Sequence, residues 1–193
     1  MKTWALLILL LVGGCSCASL PDYSEAKAYV VRIDFPSGSV CSGTAISKAA
    51  ILGAAHCFKT EAGEARFNDR PVKWKVVAND GADHVLVTID KTFTTWARLS
   101  ARKPGQGDVV FVHGNPNGLK DLLRVGRVAG WNGDVMALDL LGWFGDSGAA
   151  VWNEDGRIVG VVSAMYPGDQ PYWRLTGCYA IKFTAADWKA AGV

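Results

Sequence analysis

Short apolar runs, each ended by Gly, Pro, Asn or Asp, recur along almost the whole chain and leave little room for a long helix. Val31, Ile33 and Phe35 alternate with Arg32 and Asp34, the period of a half-buried strand. Pro36-Ser37-Gly38-Ser39 then turns the chain before a second run at 40–46. Further runs follow at 50–53, at Val72, Trp74 and Val76, and at 85–89, 109–112, 124–129, 135–140, 149–152, 158–163 and 179–183. Many closely spaced strands with so little helical periodicity predict an all-β sandwich or barrel architecture. The stretch 99–107, with Arg102, Lys103, Pro104, Gly105 and Gly107, reads as a linker between two β units. Thr184 is expected to cap a short helix through Asp187, Trp188 and Ala191, a piece too short to stand without packing on the sheet.

With 193 residues, 50% of them apolar, the chain can bury one generous core or two small ones. Its net charge of +2 is scattered without a basic stripe, which excludes an electrostatic footprint for nucleic acid or for an anionic membrane surface. Residues 1–18 have the layout of an export signal: Met1-Lys2, an apolar run from Trp4 to Val12 too short to span a bilayer, then small residues. Two cleavage sites compete. Cleavage before Cys15 corresponds to a lipoprotein-type signal and would make Cys15 a lipid anchor, the one route to a membrane. Cleavage after Ala18 corresponds to an ordinary signal.

Either way the protein is expected outside the cytoplasm, secreted, periplasmic or held at the envelope. Thiols there are read first as disulfides. Cys41 and Cys57 are the natural pair, and Cys178 is left as a buried free thiol or a partner for Cys17. No cysteine and histidine cluster has zinc spacing, so no metal or other cofactor is expected.

Two short stretches carry chemistry. Gly145-Asp146-Ser147-Gly148 sets a serine between glycines, a way to expose a nucleophile beside aligned backbone N–H groups. His56, one of only 3 histidines, sits in Ala54-Ala55-His56-Cys57 beside an expected bridge cysteine. Taken with Cys41-Ser42-Gly43-Thr44-Ala45-Ile46-Ser47, these stretches resemble the chymotrypsin-like (trypsin superfamily) serine endopeptidases in residue type, order and spacing. Gly114-Asn115-Pro116 and residues 156–163 extend the resemblance over about 29–183.

The resemblance implies two packed six-stranded antiparallel β-barrels with a short C-terminal helix. Residues 23–100 would form the first barrel, carrying His56 and Asp83, and residues 101–193 the second, carrying Ser147. His56 would be the general base and Ser147 the nucleophile, with the N–H groups of Gly145 and Ser147 as the oxyanion hole. Asp83, at the start of the apolar strand Asp83-His84-Val85-Leu86-Val87, would orient the imidazole. Asp80 and Asp90 compete for that role but read as turn and surface carboxylates. His84 is expected to point outward and His113 to serve structure.

By the same resemblance Leu141 lies at the base of the substrate pocket, Ser163-Ala164-Met165 on the wall that pairs with substrate backbone, and Gly177 opposite. An apolar base without a carboxylate disfavours Lys or Arg, so small or medium apolar side chains before the cut are expected. Phe144 precedes the oxyanion glycine, and Ala149-Ala150 stand where the family often has Gly-Pro. These changes are expected to narrow the cleft while leaving the triad intact. No segment after the signal resembles the activating Ile-Val-Gly-Gly of trypsin-type zymogens, so no such switch is expected. A polypeptide substrate and a monomeric state follow. The rival readings are a catalytically silent binding module of the same fold and an esterase, the latter disfavoured by strand content.

Overall fold

The computed structural model describes residues 23–167 and 174–193, so the expected export signal, Cys15 and Cys17 lie outside the described residues. A 3₁₀ turn at Tyr23–Tyr29 leads into six strands: β1 (Val30–Asp34), β2 (Val40–Ser47), β3 (Ala50–Ala54), β4 (Ala62–Phe67), β5 (Arg70–Asn79) and β6 (His84–Ile89). After a connection through residues 90–108, six more follow: β7 (Val109–Gly114), β8 (Leu122–Asn132), β9 (Val135–Asp139), β10 (Ala150–Asn153), β11 (Ile158–Pro167) and β12 (Arg174–Tyr179). The chain ends with helix α1 (Ala185–Ala190). Each set closes into an antiparallel barrel, in the order β1-β2-β3-β6-β5-β4 and β10-β11-β12-β9-β8-β7. The expected pair of six-stranded barrels is therefore what forms.

Strands that read as continuous apolar runs do so because both of their faces are covered. On β3, Ile51 points into the first barrel while Leu52 joins the layer between barrels. On β6, Val85 and Val87 face inward and Leu86 faces that layer. The second barrel repeats the division, with Val110 and Val112 inside and Phe111 at the interface, Val151 inside and Trp152 at the interface. Phe111 and Trp152 stack at 6.1 Å with an interplanar angle of 12°. Alternation of side chains thus glues two barrels through residues that a single barrel would leave wet.

Thr184 caps α1 in a reciprocal arrangement, its hydroxyl accepting from the Asp187 N–H and its own N–H donating to the Asp187 carboxylate. Trp188 packs that helix onto the layer between barrels.

Two strand assignments differ from expectation. Strand β4 was not anticipated from Ala62-Gly63-Glu64-Ala65-Arg66-Phe67, whose apolar content is low. It forms by pairing with β1 and β5. The two-residue turn Asn68-Asp69, both at positive φ (47° and 66°), is the local signal that joins it to β5. The last strand runs Arg174–Tyr179 instead of 179–183, fixed by pairing of Cys178 with Val162 on one side and Met136 on the other. Cys178 is a free, buried thiol, and burial pushes its pKa upward.

Candidate active site

His56 leaves β3 on a single 3₁₀ turn, Ala55–Cys57, and the Cys41–Cys57 disulfide ties that turn to β2. Across from it the chain must reverse between β5 and β6. Asp80 makes the reversal by accepting from the N–H groups of Ala82 (2.8 Å) and His84 (3.1 Å). Asp83 then takes φ 72°, a left-handed conformation that Asp tolerates better than most residues. The kink lays its backbone and side chain against the His56 turn. The Asp83 carbonyl accepts from the Ala55 N–H at 2.8 Å, Oδ1 accepts from the His56 N–H at 2.9 Å, and Oδ2 lies 2.8 Å from His56 Nδ1. Burial alone would raise the Asp83 pKa, but hydrogen bonds from the His56 ring and N–H outweigh it and the net shift is downward. The imidazole stays 47% exposed, the carboxylate 24%. A ring whose Nδ1 is fixed this way leaves Nε2 for another partner.

Ser147 comes from the other barrel, in the loop before β10. Its carbonyl accepts from the Ser42 N–H of β2 at 2.8 Å and lies 3.9 Å from the Cys57 sulfur, so the serine sits against the residue that follows His56. The flanking glycines have φ 102° (Gly145) and 87° (Gly148). A Cβ on Gly145 would collide with the Asn115 carbonyl oxygen, and one on Gly148 with the Ser42 carbonyl oxygen. The Phe144 carbonyl accepts from Asn117 N–H at 2.6 Å and the Asp146 carbonyl from Ala149 N–H at 2.8 Å. In a trans peptide the C=O and N–H point opposite ways, so these bonds direct the N–H groups of Gly145 and Ser147. Among the described residues neither N–H donates to a protein acceptor. Two preset donors beside a serine hydroxyl are what an oxyanion requires.

Asp146 has no sequence signal beyond its place in the serine motif, yet it is the anchor of the loop. Its side chain is 1% exposed and accepts two bonds from Arg124 of β8, at 2.5 and 2.6 Å, and one from the Trp143 N–H at 2.8 Å. An Asp beside the serine and an Arg on a neighbouring strand give no sequence signal of being partners, because register alone brings them together.

His84 overturns its expectation of pointing outward. It is fully buried, sharing the interface-facing side of β6 with Leu86, and its Nδ1 lies 2.7 Å from Oδ2 of Asp80, whose side chain is likewise fully buried. Asp80 does sit in the expected turn, with its carboxylate buried rather than at the surface. It additionally accepts from the Lys182 N–H at 3.0 Å, which couples the turn before Asp83 to the chain after β12. Burial would raise its pKa, but hydrogen bonds from His84, Lys182 and Ala82 hold it below the ordinary carboxylate range. Asp90 stays exposed, accepting from the Lys73 N–H at 3.0 Å. His113 is buried between Asp121 (2.9 Å) and the Tyr23 carbonyl (3.1 Å).

Of the expected pocket residues, Leu141 is 58% exposed and Phe144 71% exposed. Ser163 and Met165 are half-buried on β11, and Gly177 is buried on β12 opposite Ala164. Ala149 and Ala150 were expected to narrow the cleft. They are instead 0% and 1% exposed, Ala149 in the core of the second barrel and Ala150 in the layer between barrels.

A family profile described as the trypsin-like peptidase domain matches residues 41–161, more than half of the chain. No curated protein matches it in sequence. Among solved structures, an inactive-form mutant of Rv3671c from M. tuberculosis H37Rv is similar with TM-score 0.72 and 18% identity, over 90% of this chain and 91% of that one. A serine endoprotease from Yersinia pestis is similar with TM-score 0.67 and 24% identity, over 81% of this chain and 60% of that one. At such identities the likeness is one of fold.

Proposed function

The chain belongs to the trypsin-like peptidase family and is a serine endopeptidase, and on that premise we propose that His56, Asp83 and Ser147 form its catalytic triad. The observation that carries the assignment is the double grip of one carboxylate on one residue. Asp83 Oδ1 takes the His56 N–H and Oδ2 faces its Nδ1, which fixes both ring position and tautomer.

The reaction follows from that geometry. His56 Nε2 accepts the Ser147 hydroxyl proton as Oγ attacks the scissile carbonyl, and the new alkoxide is held by the N–H groups of Gly145 and Ser147. The imidazolium, stabilised by ionised Asp83, returns the proton to the departing amine, leaving an acyl-Ser147. A water molecule then gives its proton to His56 and releases the acid by the same steps reversed. We place the division between the two halves at about residue 100, with base and carboxylate from the first and nucleophile from the second.

Substrates are polypeptides with small or medium apolar side chains before the cut. The residues assigned to the pocket, Leu141, Ser163, Met165 and Gly177, include no carboxylate to pair with a bound cation. Export is favoured by residues 1–18 and by the Cys41–Cys57 bridge, a bond that persists in oxidising compartments. No described helix is long and apolar enough to cross a membrane, and attachment would run through Cys15.

Labelling of the purified protein with a serine-directed phosphonate tests the assignment. Wild type should take one label and Ser147→Ala none. A label retained by Ser147→Ala moves the nucleophile elsewhere.

A further inference from the structure

We propose that Ser42, clamped by Asn115, is a positioning residue that holds the oxyanion loop of one barrel from the wall of the other. This rests on the reading of Ser147 as nucleophile.

Ser42 is fully buried on β2 of the first barrel. Its hydroxyl donates to the Gly145 carbonyl at 2.8 Å and accepts from Asn115 twice, from Nδ2 at 2.9 Å and from the N–H at 3.2 Å. A hydroxyl has one proton and two lone pairs, so all three of its bonds are made and it has no rotor freedom left. With both lone pairs taken by Asn115, the proton has nowhere to point but Gly145. Asn115 is itself 2% exposed and held in turn, its Oδ1 accepting from the Asp121 N–H at 3.2 Å. The Ser42 N–H meanwhile donates to the Ser147 carbonyl at 2.8 Å. One residue therefore pins the carbonyls on both sides of Asp146, and with them the peptides that adjoin the two oxyanion donors.

Removing the hydroxyl takes away the bond that holds the Gly145 carbonyl, leaving the Gly145–Asp146 peptide held only at its other edge, where the Asp146 N–H donates to the Trp143 carbonyl at 3.0 Å, and it leaves three buried polar groups without a partner. The Gly145 N–H is one bond removed from that peptide, so its aim loosens while the substrate-binding wall on β11 is untouched. The loss falls on the transition state, where the oxyanion exists, and spares ground-state binding.

Ser42→Ala and Asn115→Ala test the proposal, each checked for cooperative melting. The readouts are the second-order rate of phosphonate labelling and kcat and KM on a small apolar peptide anilide. Ser42→Ala should label about ten- to a hundredfold more slowly, with an equal fall in kcat and KM within about threefold. Asn115→Ala should fall in the same direction, and the double variant should be no slower than about the slower single, since both act through one hydroxyl. Wild-type labelling by Ser42→Ala overturns the proposal. If Ser42→Ala does not fold, wild-type labelling by Asn115→Ala does so. A wild type that itself takes no label fails the parent reading, an outcome visible before any substitution is made.

Discussion

Arg124 and Asp146 form a two-pronged ion pair directly behind the serine loop, with Nη1 and Nη2 each 2.5–2.6 Å from a carboxylate oxygen of the residue before Ser147. The carboxylate is 1% and the guanidinium 19% exposed. The counter-charge comes from β8 of the same barrel, so the loop is neutralised from within the folded domain. Arg124→Ala leaves a buried charge unpaired and should cost about 3–5 kcal/mol in urea unfolding, with activity falling as the loop loosens. Arg124→Lys restores the charge but not the fork, and should recover only part of either loss. A wild-type unfolding midpoint in Arg124→Ala would remove the pair from any account of the loop.

Ser147→Ala and His56→Ala should each lower kcat by about six orders of magnitude while the melting transition is retained. Asp83→Asn should cost about four orders, since the amide oxygen is claimed by the His56 N–H and the amide NH2 then faces Nδ1, which selects the wrong imidazole tautomer. Steady-state turnover on an unstructured polypeptide measures all three. Equal activity in Asp83→Asn and wild type would return the role to another carboxylate.

The fold was legible wherever period and punctuation agreed, as at Val31, Ile33 and Phe35. It was illegible at β4, whose residues are strand only because β1 and β5 flank them. Of the proposed triad, His56 and Ser147 stand in distinctive local stretches, whereas Asp83 is picked out from Asp80 and Asp90 only through the family resemblance and its place at the start of an apolar strand. The supports of the triad carry no such signal. Ser42, Asn115 and Arg124 act through contacts spanning 103, 73 and 22 positions of chain, distances at which sequence carries no pairing information. His84 is illegible for a related reason: a polar residue next to a turn reads as outward-facing until the second barrel covers that side of β6.

Gly145→Ala and Gly148→Ala test whether the loop conformation is obligatory. Each puts a Cβ at a φ that L side chains rarely adopt and against a backbone carbonyl, which cannot swing aside as a flexible side chain would. Both should destabilise by about 2 kcal/mol or more, and Gly145→Ala should also slow labelling of Ser147. Near-normal labelling by Gly145→Ala would mean that the loop rearranges freely.

Opening the Cys41–Cys57 bridge releases the turn that carries His56. For a separation of 16 residues, a Cys41→Ala/Cys57→Ala pair should lose about 3 kcal/mol, chiefly by enlarging the unfolded ensemble. Activity per folded molecule should fall less than stability, because the Asp83 contacts still hold the ring. A double variant as stable as wild type under the same conditions would contradict the first expectation.

Acid should unfold the protein through the turn before β6. Asp80 and Asp83 both have folded-state pKa values below the ordinary 3.8, so their stabilisation is complete above that value and is lost as pH falls through the lowered ones. Asp80 matters more for the fold, since its fully buried carboxylate takes the His84 ring, two N–H groups of its own turn and the Lys182 N–H from beyond β12. Protonation puts a hydrogen where an acceptor is needed, and Asp80→Asn does the same at every pH. That variant should be about 2–3 kcal/mol less stable at pH 7 and should show a shallower decline below pH 4 than wild type. Urea midpoints measured from pH 7 down to pH 2 read both quantities. Parallel wild-type and variant profiles would show that the Asp80 proton is not linked to folding.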